Sequence, residues 1–172
     1  MNGKLGVFLV LVCFTLAGCA ATGTPMVWKD KEVSLSPDTL FIIVPVRDSS
    51  GKTYEKDIPG LLTAALEEKF RDRKLKLTDD ASAADIEVDG ELLVYAAGSA
   101  FKRWLAPGAG KTQCTLKVRL RDLKSGKVVS EIVAAKEVAA GGLYSAGADE
   151  WILKDAADDV AEQIAKLIAE KG

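Results

Sequence analysis

Asp85-Ile86-Glu87-Val88-Asp89-Gly90-Glu91-Leu92-Leu93-Val94-Tyr95-Ala96 and Thr112-Gln113-Cys114-Thr115-Leu116-Lys117-Val118-Arg119-Leu120-Arg121-Asp122-Leu123 are the two longest alternating stretches of the chain. Strict alternation is the signature of a half-buried strand. In the first, Ile86, Val88, Leu92 and Val94 share one face and Glu87, Asp89 and Glu91 the other. In the second, Cys114, Leu116, Val118 and Leu120 oppose Lys117, Arg119 and Arg121. An acidic row and a basic row of matching length predict antiparallel pairing, with Glu87 opposite Arg121, Asp89 opposite Arg119 and Glu91 opposite Lys117. Each opposed pair of unlike charges contributes ~0.2–1 kcal/mol. A slip of one residue would turn every apolar side chain to solvent.

Working outward, Lys124-Ser125-Gly126 reads as a hairpin turn, with Gly126 at positive φ. A strand then follows from Lys127 to about Val138. A three-residue loop with a glycine bulge brings Glu131 opposite Arg119. Upstream, Leu40-Phe41-Ile42-Ile43-Val44 is apolar throughout, which predicts a central strand covered on both sides. A helix is expected from Ile58-Pro59, with Leu61, Leu62, Ala65, Leu66 and Phe70 on one stripe. Lys74 to Thr78 reads as a short strand, giving a strand–helix–strand crossover. A last helix runs from about Asp149 to Glu170. It turns Ile152, Ala156, Val160, Ile164, Leu167 and Ile168 inward and Asp158, Asp159, Glu162 and Lys166 outward. The order strand–helix–four strands–helix predicts an α+β two-layer sandwich: a four- to five-stranded, mainly antiparallel sheet covered by two helices.

The beginning of the chain has a different character. Lys4 precedes the apolar run Leu5 to Leu16, which ends in Ala17-Gly18-Cys19. A charged start, a short hydrophobic stretch and small residues before the cut form an export signal. The run falls short of the ~20 residues of a membrane span. Leu16-Ala17-Gly18-Cys19 resembles the lipobox of bacterial lipoproteins, which implies cleavage after residue 18 and lipidation of Cys19. A single acyl chain anchors marginally, whereas two or more hold firmly. Ala20, in place of aspartate, implies transit to the outer membrane. The chain thus divides into a signal (1–18), a lipidated flexible tether (19–32) marked by Thr22-Gly23-Thr24-Pro25, and one periplasmic domain (33–172). Trp28, in the tether, is left open between the membrane interface and the domain surface.

Composition narrows the chemistry. The 172 residues carry 23 Lys+Arg and 25 Asp+Glu. Lys4 is the only charge in residues 1–18, so the cleaved chain has 22 cations against 25 anions, a net charge of −3. That balance argues against a nucleic-acid partner. There is no histidine, which removes imidazole-based triads and imidazole-ligated zinc. Once Cys13 leaves and Cys19 is lipidated, Cys114 has no disulfide partner and reads as a small buried hydrophobe. Asp155, Asp158, Asp159 and Glu162 could share a hard cation, but without an oxygen-rich loop they read as a solvated helix face. No cofactor and no metal site is expected.

Pro107-Gly108-Ala109-Gly110-Lys111-Thr112 ends like a phosphate loop. Its first glycine is replaced by Leu105, and a strand rather than a helix follows, so nucleotide binding is not expected. The whole connection, residues 97–111, is long for a hairpin and carries Phe101, Lys102, Arg103 and Trp104. Aromatic and arginine side chains are favoured interface anchors. This loop is the candidate contact for a protein partner in the envelope; the alternative is that Phe101 and Trp104 fold back onto the sheet.

Gly98-Ser99 with Arg103, Gly108-Ala109-Gly110, Asp122 to Lys127 and Gly141-Gly142 resemble the bacterial lipoproteins that share domain of unknown function 4410, over roughly Leu40 to Leu167. The resemblance implies an envelope lipoprotein with an α+β domain and supplies no catalytic residues. The expectation is a non-catalytic, lipid-anchored envelope protein that presents a partner-binding module. The alternatives are a carboxylate-dependent hydrolase of cell-wall or polysaccharide material, which needs two acids in a cleft, and a small-ligand or lipid carrier, which needs a large apolar cavity.

Overall fold

The computed structural model describes residues 21–30, 35–98, 110–138 and 148–170. In chain order these form β1 (Ala21–Thr22), β2 (Met26–Lys29), β3 (Leu40–Asp48), α1 (Ile58–Asp72), β4 (Lys76–Leu77), β5 (Ile86–Ala96), β6 (Thr112–Asp122), β7 (Val128–Val138) and α2 (Ala148–Ala169). The class is α+β, as the pattern predicts, but the sheet is larger and mixed. Its order is β1-β7-β6-β5-β3-β4, with β2 following β1 along the same edge of β7. β3 runs parallel to both β4 and β5, while the other pairings are antiparallel.

The charged strands meet in the predicted register: Glu87↔Arg121, Asp89↔Arg119 and Glu91↔Lys117. Glu131 lies opposite Arg119, and Gly126 turns the hairpin at φ +71°. The opposite face of these strands carries Val88, Leu92, Cys114, Leu116, Val118, Leu120 and Ile132, all sealed from solvent. Both helices cover this face. α1 buries Ile58, Leu62, Ala65, Leu66 and Phe70, and α2 buries Ile152, Ala156, Val160, Ile164 and Leu167. Phe70 meets Phe41 of β3 edge to face, with ring centroids 5.7 Å apart.

Several expectations are corrected. β3 is not a central strand with two covered faces. It lies between β5 and the two-residue β4, and Ile42 and Val44, which pair with Glu87 and Asp89, stay half-buried on the helix-free face. Near its end a register shift between Val44 and Arg47 turns Val46 into the core. The Val46 N–H donates to Thr63 Oγ1 of α1 at 2.9 Å. Another shift, between Leu92 and Val94, exposes Val94 and brings Tyr95 inward. Leu61 stands exposed rather than in the helix stripe. Asp159 does not face out; it pairs with Lys136 beneath the sheet. Two pieces of the supposed tether are strands, Ala21↔Glu137 to Thr22↔Lys136 and Met26↔Val133 to Lys29↔Ser130.

Two backbone positions carry steric constraints, one within β5 and one just past the end of α1. A Cβ on Gly90 would sit 2.8 Å from Val46 Cγ2 and 3.7 Å from Leu66 Cδ1, so the strand needs a residue without one. At its far end α1 closes in a Schellman motif: Leu75 N–H donates to Phe70 O at 2.9 Å and Lys74 N–H to Arg71 O at 3.0 Å. That geometry places Lys74 at φ +59°, where glycine is the usual residue. Gly90→Ala should therefore lower stability by about 1–3 kcal/mol. Lys74→Gly should raise it by about 1 kcal/mol, or a melting temperature about 3 °C higher. Thermal unfolding of both variants checks the pair of opposite signs.

Candidate functional site

The two described helices cover one face; the other, which no described helix covers, is a platform built by the alternation of β5, β6 and β7. Its centre is a chain of ion pairs. Arg47 Nη2 reaches both oxygens of Asp89 at 2.8 and 2.9 Å. Arg119 Nη2 donates to Glu91 at 3.1 Å, and Lys117 Nζ lies 2.8 Å from the same oxygen. Arg121 approaches Glu87 at 3.3 Å. At one margin Lys111 meets Glu137 at 2.6 Å, and Gln113 donates to Glu137 at 2.8 Å. Arg119 Nε is buried without a hydrogen bond, 3.5 Å from Asp89. Glu87, Asp89, Glu91 and Glu137 each have a cation, so the platform is polar and largely charge-compensated. Such pairs contribute little individually, but together they fix which strand faces which.

The electrostatics bear on acid stability. The Lys117 hydrogen bond and then the Ser49 hydroxyl pull Glu91 from an ordinary 4.5 down to about 2. Glu137 is held below the usual carboxylate range by Lys111 and Gln113.

Between sheet and α2 lies a second group. Lys136, opposite Cys114 and so on the covered face, places Nζ 2.6 Å from Asp159 Oδ2, with side chains 8% and 17% exposed. That oxygen makes no aligned hydrogen bond, so the contact is a charge pair taken largely out of water. Burial raises the Asp155 carboxyl above its ordinary range, and Asp159 and Asp158 push it the same way. The remaining acids of this helix are tied down: Asp158 to Arg73 at 2.8 Å, and Glu162 to Arg73 at 3.4 Å and Lys166 at 2.6 Å. The described residues contain no group of ligands arranged for a metal ion. Burial pushes the Cys114 thiol up to about 12, far from a reactive thiolate.

Two grooves stand out, of about 190 Å³ beside Arg73, Lys74 and Lys76 and about 160 Å³ beside Leu61, Glu68, Glu150 and Lys154. Both fall below the ~300–1,000 Å³ common for ligand pockets. In the second, Glu68 is paired with Lys154 and Glu150 with Lys56.

Cys19 and the sequence-derived contact set Phe101, Lys102, Arg103 and Trp104 lie outside the described residues. The described ends of that loop locate it, however. Ala96 pairs with Gln113, and Thr112 with Val138. Ala21 pairs with Glu137 at the same end of the sheet. The start of β1, the end of β5 and the start of β6 thus lie at one end of the sheet. Sequence reasoning missed the edge pairing of Met26–Lys29, which left Met26, Val27 and Trp28 exposed on the sheet margin. It also missed the inward Lys136, whose signal was its even spacing from Ile132 and Ala134.

Residues 30–142 match the family model described as domain of unknown function, DUF4410. The chain belongs to this family. The match stops before α2, short of the Leu40–Leu167 span of the sequence resemblance. No curated protein matches the sequence. Among solved structures, PelC from Paraburkholderia phytofirmans, a dodecamer, is similar with a TM-score of 0.55 and 12% identity, over 78% of this chain and 97% of that one. The hypothetical protein CT253 from Chlamydia trachomatis gives 0.54 and 10% identity, over 77% and 99%. Protein XCC0632 from Xanthomonas campestris gives 0.51 and 11%, over 77% and 87%. At these identities the shared property is the fold.

The lowered carboxyl of Glu91 has a definite pH consequence. Its contribution to stability is complete above the ordinary 4.5 and is lost as the pH falls toward about 2. Glu91→Gln should remove part of the stability seen near neutral pH and flatten its decline through this acid window. Urea midpoints for both proteins between pH 6 and 2 measure the difference.

Proposed function

We propose that this DUF4410 member is a non-catalytic lipoprotein of the cell envelope, lipidated at Cys19 and carried to the outer membrane, that holds a partner-binding domain close against the bilayer on its periplasmic side. The observation that supports this best is the pairing of Ala21 with Glu137. It leaves one residue, Ala20, between Cys19 and the fold, a reach of at most ~7 Å from Cys19 to Ala21. An anchor so short suits a protein that works at the membrane surface. It also keeps the 97–111 connection near that surface, since both meet at one end of the sheet. Phe101, Lys102, Arg103 and Trp104 are the proposed contact, with Trp104 as apolar anchor and Arg103 as charge donor to an envelope protein. No described helix is long and apolar enough to cross a membrane, so attachment through lipid fits this reading.

Neither alternative gains a specific observation. A hydrolase needs two carboxylates facing a cleft, and the glutamates lining a groove here are each neutralised by lysine. A carrier needs a cavity between helices and sheet, where Leu62, Leu66, Leu116, Leu120, Ile152 and Ile164 are packed with no exposed surface.

Protein isolated from its native host should have the mass of a chain that starts at Cys19 with three acyl chains, and Cys19→Ala should move it to the soluble fraction. Arg103→Ala with Trp104→Ala should abolish crosslinking to its envelope partner in intact cells while leaving the melting temperature within about 1 °C. An unmodified Cys19, or unchanged crosslinking, would refute the corresponding half of the proposal.

A further inference from the structure

β2 is the outermost strand on the β7 side of the sheet, and three successive side chains on it stand in solvent: Met26 at 70%, Val27 at 38% and Trp28 at 54% exposure. Met26 lies opposite Val133 and Trp28 opposite Glu131, so both project from the helix-free face. Val27 lies opposite Ile132 and projects from the helix-covered face. The margin is thus apolar on both sides of one strand. The strand is firmly held. Ser130 Oγ donates to Trp28 O at 2.7 Å, Asp30 N–H donates to Val129 O at 2.9 Å, and Lys29 reaches Glu170, just past the end of α2, at 3.7 Å. A tryptophan on so rigid a support is displayed rather than left loose.

The course of the chain says what faces it. β1 and β2 follow the same edge of β7, from Glu137 down to Ser130. Cys19 precedes this edge by two residues, so lipid at Cys19 would place the head of the edge at the bilayer. Among the described residues no strand pairs with the outer side of β2, and unpaired backbone groups cannot enter hydrocarbon. At headgroup depth water still reaches them, and that is where indole rings concentrate at membranes. Charge adds little attraction, because the cleaved chain is weakly acidic.

We infer that Met26, Val27 and Trp28 form a lipid-facing rim, on which the edge of the sheet rests in the headgroup layer of the bilayer that holds Cys19. This rests on the lipid-anchor reading. It lays the strands along the membrane and keeps β6 about 10 Å from it, two strand spacings away. The end of the sheet at which β5 stops and β6 begins then lies alongside the bilayer.

The test uses the full, natively lipidated chain in phosphatidylethanolamine–phosphatidylglycerol vesicles, with Trp104→Phe and Trp151→Phe so that Trp28 alone emits. The difference between the wild type and Trp28→Phe gives the same signal if the double variant folds poorly. On vesicles, Trp28 emission should shift to the blue, lose at least threefold of its acrylamide quenching, and be quenched by lipids brominated close to the headgroups. Flotation with the vesicles but undiminished acrylamide quenching would overturn the inference while leaving the anchor intact. Failure to float would overturn the anchor and the inference with it. Protection of Trp28 without vesicles, together with a doubled mass, would assign the edge to a second copy and also overturn it.

Discussion

The unlike-charge pairing of β5 with β6 is the constraint on which the rest of the molecule depends. Side chains alternate with a period of two, so fixing Glu87 against Arg121 and Glu91 against Lys117 also decides which residues lie under the helices. No single pair is worth much at a surface. Their effect is collective: a slip of one residue breaks all three pairs and turns Val88, Leu92, Leu116 and Val118 into water. That second penalty is the larger, since burying one such side chain contributes ~1.5–3 kcal/mol. Charge chooses the partner, and the apolar face makes the choice hard to reverse.

Once the face is chosen, helix placement follows. Gly90 leaves the room that Val46 of β3 fills where the register shift turns it inward, since a Cβ there would stand 2.8 Å from Val46 Cγ2. α2 lies over β6 and β7, where its Ala156, Ala157, Val160 and Ala161 are fully covered. Small residues there let helix and sheet approach closely. The same closeness strands the long side chain of Lys136 on the covered face. Asp159 answers it with an opposite charge, because an unpaired ammonium at that depth would be costly.

What was legible in the sequence was whatever depends on neighbours along the chain. The strand alternation of residues 86–92 and 112–122, the turn at Gly126 and the stripes of both helices are local signals, and they led to the right class and register. The misses are long-range. Leu40 to Val44 looked two-sided because all five residues are apolar, yet a strand beside a two-residue edge can leave Ile42 and Val44 half open. Val94 exchanged faces with Tyr95 through a bulge that no residue type announces. Ala21–Thr22 and Met26–Lys29 read as tether because Gly23 and Pro25 break them into pieces too short to signal a strand. Their structure comes from the free edge of β7, over a hundred residues away.

That last pairing also changes what the protein can be expected to do. A slack tether of thirteen residues would let a domain sample distances up to ~45 Å from a membrane and turn freely above it. With the lipid proposed at Cys19, a tether zipped onto β7 would remove both freedoms, and anchorage and orientation would become one property of the fold. Orientation is otherwise hard to secure for a nearly neutral domain, which has no basic face to draw it to lipid. It also lowers the entropic cost of meeting a second component in the same plane, because fewer rotations remain to be lost on contact. The platform of ion pairs fits such a role. It is polar enough to stay in water, and two of its strands, β5 and β6, flank the 97–111 connection. On this view the acidic and basic rows are structural, and the chemistry of recognition lies at the margins of the sheet.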